Sequence, residues 1–182
     1  MEEDILAAAW EELAESGWAG FSLAAVAARA GTGNNSVYRR WPTKTALIRA
    51  ATVRHSGTTR MPSRYSGDLV QDLLVVARAS AAANEGPIGQ ALRGFVVERA
   101  TRPADDDGPS TFDDSMPVRV VADIVEAAQA DGRLPATPRT PKVINLGLTL
   151  IGNYFLLNGR SPTDDVLVEI VTDIWVPLLE RE

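Results

Sequence analysis

Hydrogen-bonding and basic side chains are concentrated in one short segment of the chain. The set comprises Asn34, Asn35, Ser36, Tyr38, Arg39, Arg40, Thr43 and Lys44, with Ser22 as an upstream member. Amide groups can pair with adenine edges, guanidinium groups with guanine, and hydroxyl and ammonium groups with phosphates. The sequence shows no nucleophile with an ordered base, no phosphate-cradling glycine loop and no pair of histidines. The pattern therefore predicts polyanion binding and not an enzyme.

The charge of the chain is divided unevenly along its length. No Asp or Glu occurs between Ser16 and Gly67, whereas that stretch holds eight Arg and Lys residues in a chain whose net charge is −6. A solvated surface normally mixes both signs, so this division predicts a DNA-binding module attached to an acidic body. We expect Arg29, Arg49 and Arg54 to contribute to the electrostatic field of the module without contacting DNA.

Composition sets further limits on the class of protein. With 182 residues, of which 45% are hydrophobic, the chain can form one large domain or two small units. The absence of cysteine excludes disulfides, and the N-terminus lacks the pattern of a signal peptide. No apolar run approaches the ~20 residues that a membrane-spanning helix needs. We expect a cytoplasmic protein without cofactor or metal, in which the single histidine, His55, is a helix-end or surface residue.

The spacing of apolar residues is helical along nearly the whole chain and predicts an all-α fold of about nine helices. They are expected at about residues 3–16, 23–30, 34–41, 43 onward, 68–83, 87–101, 117–130, 142–158 and 164–179. Gly17 should end the first helix, and Ser22 and Thr43 should cap the second and the fourth. These signals divide the chain into a DNA-binding domain, residues 1–56, with its fourth helix as connector, and a C-terminal domain, residues 57–182.

The second and third helices, joined by a glycine-containing turn and braced by the first, predict a helix-turn-helix. In the third helix Val37 and Trp41 should face inward, which directs the polar and basic residues outward. A recognition helix leads with its N-terminal residues, so Asn34, Asn35 and Ser36 are the expected base readers. Lys44, in the first turn of the fourth helix, could bind a phosphate together with free backbone amides.

The last two predicted helices are the most apolar. They carry two stripes at helical spacing, Ile144, Leu148, Ile151 and Phe155, and Val166, Ile170, Ile174 and Leu178. Pairing with a second copy would bury both stripes in a four-helix dimer interface. The alternative is that they form the core of the chain itself.

A ligand pocket is indicated only by scattered residues of the C-terminal domain. Asn145, Thr149 and Asn153 are spaced four apart in an apolar helix and could contact a ligand or form interhelix hydrogen bonds. Apolar walls for a hydrophobic effector could come from Phe95, Phe112 and Met116, which could equally be core residues.

The segment from Ile5 to Leu47 resembles the N-terminal domain of TetR/AcrR-type transcriptional regulators. The resemblance is carried by Ala14-Glu15-Ser16-Gly17-Trp18, Ser22-Leu23-Ala24-Ala25-Val26-Ala27, Ala30-Gly31 and Val37-Tyr38-Arg39-Arg40-Trp41-Pro42-Thr43-Lys44. It implies a homodimer that binds a palindromic double-stranded DNA operator and is released by a small molecule bound in the C-terminal domain. It also implies phosphate contacts by Tyr38 and Lys44. The competing hypothesis is a dimeric helical protein that binds small molecules without sequence-specific DNA binding.

Two positions depart from the family pattern. Gly33 replaces a frequent capping Ser and is followed by Asn34-Asn35, so either Asn could be needed as the cap of the recognition helix and lost to base reading. The chain also begins Met1-Glu2-Glu3-Asp4, where relatives often carry a basic arm.

Overall fold

The structure is a computed structural model that describes residues 1–58, 65–101 and 115–181. Within these ranges all regular secondary structure is helical, which confirms the predicted all-α fold. The elements are α1 (Glu2–Gly20), α2 (Leu23–Arg29), α3 (Asn34–Arg40), α4 (Lys44–Thr58), α5 (Leu69–Asn84), α6 (Pro87–Thr101), α7 (Met116–Ala130), α8 (Pro141–Ile144), α9 (Leu146–Asn158), α10 (Asp164–Glu169), a π-helical segment (Ile170–Trp175) and α11 (Val176–Glu180). None of these helices is long and apolar enough to cross a membrane.

The chain divides into two compact units. The first is Met1–Thr59 with Gly86–Thr111, and the second is Arg60–Glu85 with Phe112–Glu182. The first unit therefore contains α6 in addition to α1–α4, although α6 lies well beyond residue 56 in the sequence. Helical periodicity identifies α6 as an amphipathic helix but carries no information on which core its apolar face joins.

The first unit is built around α1. Gly17 has φ 63° and ψ −177°, a conformation that interrupts the helix and turns the chain toward α2. The buried side chains that join α1 to α2, α3 and α4 are Ile5, Ala8, Ala9, Leu13, Val26, Ala27, Val37, Leu47 and Ile48. The helix ends match the sequence prediction closely because their stop signals, such as Gly17 and Pro42, are local.

In this unit α6 packs against the turn at the end of α1. A Cβ atom added at Gly94 would lie 1.8 Å from Cδ2 of Trp18, so only glycine allows α6 to approach the indole ring. Phe95 meets the same ring edge-on, with the two ring centroids 5.5 Å apart. Trp18 therefore joins α6 to α1.

The second unit has a core formed by α5, α7, α9 and the C-terminal helices. Its buried side chains include Leu73, Val76, Ala77, Val121, Ile124, Val125, Ile151, Leu167, Val171, Trp175 and Leu179. Arg78 and Asp164 form a two-point ion pair between α5 and α10, with N–O distances of 2.6 and 2.9 Å. Both groups of this pair are exposed, so it contributes little to stability compared with the apolar core.

The helix predicted over residues 142–158 is broken at Asn145, which has φ −92° and ψ 0°. Trp175 accounts for the break. Its buried indole Nε1 donates to the carbonyl oxygens of Val143 and Ile144, at 3.2 and 3.1 Å. A Cβ atom at Gly147 would lie 1.9 Å from the Trp175 ring, so the start of α9 is also shaped around the indole.

The helix predicted over residues 164–179 contains the π-helical segment. Pro177 follows that segment; it has no N–H, and its ring clashes with the carbonyl oxygen four residues earlier, so a regular α-helix cannot continue through it. The π-helix instead bonds residues five apart. In agreement with that spacing, Ile170 and Trp175 are both buried, as are Val171 and Val176.

Burial within the chain corrects part of the predicted dimer interface. Ile151 and Phe155 are each 1% exposed and Ile170 is 7% exposed, so all three belong to the chain's own core. The other predicted interface residues are the half-buried Ile144, Leu148, Val166 and Leu178, and the exposed Ile174. Residues four apart share a face only in an α-helix, and here the helix is π-helical between Ile170 and Trp175.

Candidate nucleic-acid interface

The capping of α2, α3 and α4 leaves the start of α3 available for binding. Ser22 caps α2, its Oγ accepting from the Ala25 N–H at 3.4 Å, and Thr43 caps α4, its Oγ1 accepting from the Ala46 N–H at 3.1 Å. Gly33 is the N-cap residue of α3, with an extended backbone and no side-chain cap. Neither Asn34 nor Asn35 is therefore needed as the cap, which answers the question that the sequence left open.

One face of α3 carries the predicted binding residues. Val37 is fully buried against the first unit, which fixes the rotation of the helix. On the outside, Asn34, Asn35, Tyr38, Arg39 and Arg40 are exposed, and Ser36 is half-buried. We call these six residues the recognition surface. Nearly half of the Tyr38 surface (49%) is open to solvent, so its hydroxyl is accessible to a partner.

Lys44 is held by its own chain. Its Nζ donates to the carbonyl oxygen of Trp18 and lies 4.7 Å from the centroid of the Trp18 ring and 6.0 Å from that of Phe21. Burial lowers the pKa of Lys44, and the nearby Glu98 carboxylate opposes this shift by favouring the charged form. An ammonium over an aromatic face gains a cation–π attraction, so Lys44 has a defined position at the start of α4.

The positive charges between Ser16 and Gly67 differ in how far neighbouring carboxylates neutralise them. Arg29, at the end of α2, forms ion pairs with Glu11, Glu12 and Glu15 of α1, and its hydrogen bond to Glu15 chiefly raises the pKa of its guanidinium. Three neighbouring carboxylates cancel its positive field, so the expectation that Arg29 adds to the field was wrong.

Arg40 also has an acidic neighbour. Its Nε lies 3.9 Å from the carboxylate of Glu2, in the first turn of α1, and both side chains are partly exposed. Glu2 therefore acts on the recognition surface itself.

The residues predicted to line a ligand pocket are not brought together by the described contacts. Phe95 packs on Trp18 in the first unit and is a core residue there. Phe112 lies outside the described residues, and Met116 is half-buried at the start of α7 in the second unit.

The helix break separates Asn145 from Thr149 and Asn153, the other two polar residues that the sequence places four apart. The Thr149 hydroxyl donates to the backbone carbonyl of Asn145 at 3.0 Å, and Asn153 is exposed. Oδ1 of Asn145 is buried and has no hydrogen-bond partner among the residues that the structure describes.

His55 was interpreted from the sequence as a helix-end or surface residue, and its neighbour was not foreseen. Its ring stacks on that of Trp10, with centroids 3.6 Å apart and an interplanar angle of 11°. Burial, aided by the charge of Arg54, lowers the pKa of His55. The stack connects α4 to α1 within the first unit, and since the two residues lie 45 positions apart, no local signal could have revealed it.

Comparison with known proteins agrees with this geometry. Residues 5–51, which contain α2, α3 and parts of α1 and α4, match the family model of bacterial regulatory proteins of the tetR family. Uncharacterised HTH-type transcriptional regulators of Mycobacterium bovis and Mycobacterium tuberculosis are 27% identical over 181 residues, covering 99% of this chain and 88% of theirs.

Solved structures share the fold. The TetR family transcription regulator SCO0332 superposes with a TM-score of 0.77 at 20% identity, covering 96% of both chains. NalD, the secondary repressor of the MexAB-OprM multidrug efflux pump in Pseudomonas aeruginosa, superposes with a TM-score of 0.52 at 20% identity, covering 100% of this chain and 96% of its own. Both the family model and the curated relatives are of transcriptional regulators, which supports the DNA-binding hypothesis.

Proposed function

We propose that this chain, a transcriptional regulator of the TetR family, is a repressor that binds a palindromic operator as a homodimer in the cytoplasm and is released by a small hydrophobic effector. The observation that carries the proposal is the recognition surface, whose polar and basic side chains are exposed opposite the buried Val37. Two protomers would insert α3 into successive major grooves, ~34 Å apart.

The residues around α3 divide into two roles. Asn34, Asn35 and Ser36 occupy its N-terminal turn and are free of capping, so they read base edges. The remaining members, Ser22, Tyr38, Arg39, Arg40, Thr43 and Lys44, hold the phosphate backbone. Arginine can serve either role, but Arg39 and Arg40 lie in the last turn of α3, away from the leading end of the helix.

The phosphate contacts are tested with Tyr38→Ala and Lys44→Ala. Each variant should weaken binding to all DNA sequences alike. Lys44→Ala should also reduce the slope of log affinity against log salt by about 0.9, because its ammonium no longer releases a counterion, whereas the uncharged Tyr38 hydroxyl releases none. Fluorescence anisotropy with labelled duplexes between 50 and 200 mM salt measures both quantities. Val97→Ala, a change at an exposed residue of α6, is the control. A full salt slope in Lys44→Ala, or an unchanged affinity in Tyr38→Ala, would contradict these roles.

Base reading is tested separately with Asn35→Ala and Ser36→Ala. Removing a base contact should change the relative affinities for operator variants by about 1–3 kcal/mol at the base pair concerned and leave binding to random DNA nearly unchanged. The same anisotropy assay with a set of single-base operator variants measures this. An equal loss on every duplex would show that these residues hold the backbone and do not read bases.

The dimer contact is proposed for the apolar residues that the second unit leaves exposed. Leu157 of α9 is 77% exposed and Ile174 of the π-helical segment is 37% exposed, which is unusual for large aliphatic side chains. They belong to the two helices that the sequence selected for dimerisation, together with the half-buried Ile144, Leu148, Val166 and Leu178. An interface between copies would remove both side chains from water.

The effector is proposed to bind in the second unit. The buried Oδ1 of Asn145, which has no hydrogen-bond partner among the described residues, supports a site there with one polar group. Candidate hydrophobic compounds should raise the melting temperature of the protein and release it from its operator in the same concentration range, since a ligand stabilises the state that it binds.

A further inference from the structure

The position of Lys44 depends on Trp18, a residue that lies outside the recognition surface. We infer that Trp18 is a positioning residue that holds the Lys44 ammonium ready for a DNA phosphate, and that α6 determines where Trp18 lies. The inference rests on the phosphate contact proposed for Lys44 above. It assigns a role in DNA binding to a helix that the sequence places far from the helix-turn-helix.

The first step is the chemistry of the lysine. A free lysine side chain is long and flexible, and fixing it on a phosphate costs conformational entropy. Here the Trp18 carbonyl accepts one of the three ammonium protons, and the indole face attracts the cation. Within the described part of the chain Nζ makes no second hydrogen bond, so its two other N–H groups can donate to a phosphate at the start of α4. Because Trp18 already holds the ammonium in place, Lys44 loses less conformational entropy when it binds a phosphate.

The second step is the conformation of the chain at Trp18. Gly17, at φ 63°, interrupts α1 just before Trp18, so the carbonyl and the ring of Trp18 are oriented by the turn and not by the regular helix. Another residue at position 17 would be strained at this φ, and a Cβ there would also come within 3.7 Å of Oε1 of Gln90 on α6. The turn is therefore fixed by glycine and bordered by α6.

The third step is the contact with α6. The indole covers Gly94 so closely that any Cβ would overlap it, and the Phe95 ring meets it edge-on. Glu98, one helical turn beyond Gly94, favours the charged form of Lys44. α6 thus acts on Lys44 in two ways. Gly94 and Phe95 fix the position of Trp18, and the Glu98 carboxylate favours the charged ammonium. A displacement of α6 would change the phosphate contact without altering any residue of the recognition surface.

The test uses Gly94→Ala in the full chain, with DNA affinity measured by anisotropy from 50 to 200 mM salt. The added methyl must displace Trp18, because the overlap at 1.8 Å involves the rigid ring. We expect the salt slope to fall by about 0.9, as in Lys44→Ala. The double variant Gly94→Ala/Lys44→Ala should bind no more weakly than Lys44→Ala alone, since both changes remove the same contact. Val97→Ala is the control on α6.

Trp18→Leu provides a second route should Gly94→Ala fail to fold, as judged by circular dichroism. It removes the aromatic face but keeps an apolar side chain and the backbone carbonyl, so part of the same loss of slope is expected. A full salt slope in the folded variants, or losses that add to that of Lys44→Ala, would overturn the role of Trp18. A full slope in Lys44→Ala alone would instead overturn the phosphate contact of the proposed function, and this inference with it.

Discussion

The basic side chains near α3 differ in the partners that their own chain gives them. Lys44 is held by Trp18, Arg40 lies near Glu2, and the Arg29 charge is cancelled by α1. The eight positive charges between Ser16 and Gly67 therefore do not form a uniform field. Arg39, at the end of α3, is exposed beside them on the recognition surface.

In the proposed complex, Glu2 would compete with a DNA phosphate for Arg40. Glu2→Gln should raise the affinity for DNA, by at most about fivefold at low salt, because exposed ion pairs contribute about 0–1 kcal/mol. The gain should diminish as salt rises, since the contact is exposed. Anisotropy at 50 and 200 mM salt measures both effects.

Glu3→Gln is the matched control for this prediction. It changes the net charge by the same amount and is also in the first turn of α1, but the structure gives Glu3 no ion pair with the described part of α3. An equal gain in Glu3→Gln would mean that only the overall charge matters and that the Glu2–Arg40 contact does not.

Much of the site at residue scale was predictable. The outward set of α3 follows from the inward Val37, and the caps at Ser22 and Thr43 follow from residue type. The hold on Lys44 and the Trp10–His55 stack were not predictable. Both depend on the meeting of distant segments, which helical periodicity does not encode.

At the scale of elements, helix ends were predicted where a residue signals them. Gly17, Pro42 and Gly159 each end or interrupt a helix for reasons contained in the residue itself. The break at Asn145 has no such signal, because residues 142–158 are continuously compatible with a helix. Its cause is the indole of Trp175, whose Nε1 donates to the carbonyl groups of Val143 and Ile144 at the break.

Trp175→Phe tests this explanation. It removes the donor to Val143 and Ile144 and part of a fully buried side chain, so the free energy of unfolding should fall by about 2–4 kcal/mol. Urea denaturation followed by circular dichroism measures the loss. Trp41→Phe, at a half-buried tryptophan, is the comparison, and an equal loss there would deny the indole hydrogen bonds a special role.

At the scale of the whole molecule, the two units differ from the two domains that a linear division predicts. The predicted boundary at residues 56 and 57 lies close to the end of the first segment at Thr59, but α6 returns to the first unit. A boundary read from composition marks where the chain leaves a unit and cannot show where it returns. The contact of Trp18 with Gly94 is what makes α6 part of the first unit.

The proposed homodimer is the feature of the whole molecule that would most directly limit binding to the proposed operator. Leu157→Glu and Ile174→Glu should each shift the protein toward monomer, because a carboxylate would be buried in the proposed interface. Sedimentation equilibrium measures the assembly. Binding to a palindromic operator should weaken, whereas binding to a single half-site should change little.

Val53→Glu is the control for these two substitutions. Val53 is also an exposed aliphatic residue, but it lies on α4 in the first unit. If only Val53→Glu dissociates and the other two variants stay dimeric, the interface lies on the first unit and the proposal is wrong.

The π-helical segment before Pro177 sets the rotation of the C-terminal helix. A turn that bonds residues five apart holds one residue more than an α-helical turn, so the side chains of α11 are rotated about the helix axis relative to those of a continuous α-helix. With this rotation Val176 and Leu179 are buried and Leu178 is half-buried. Deleting one residue within 170–175 should therefore turn Val176 and Leu179 away from the core and lower the free energy of unfolding.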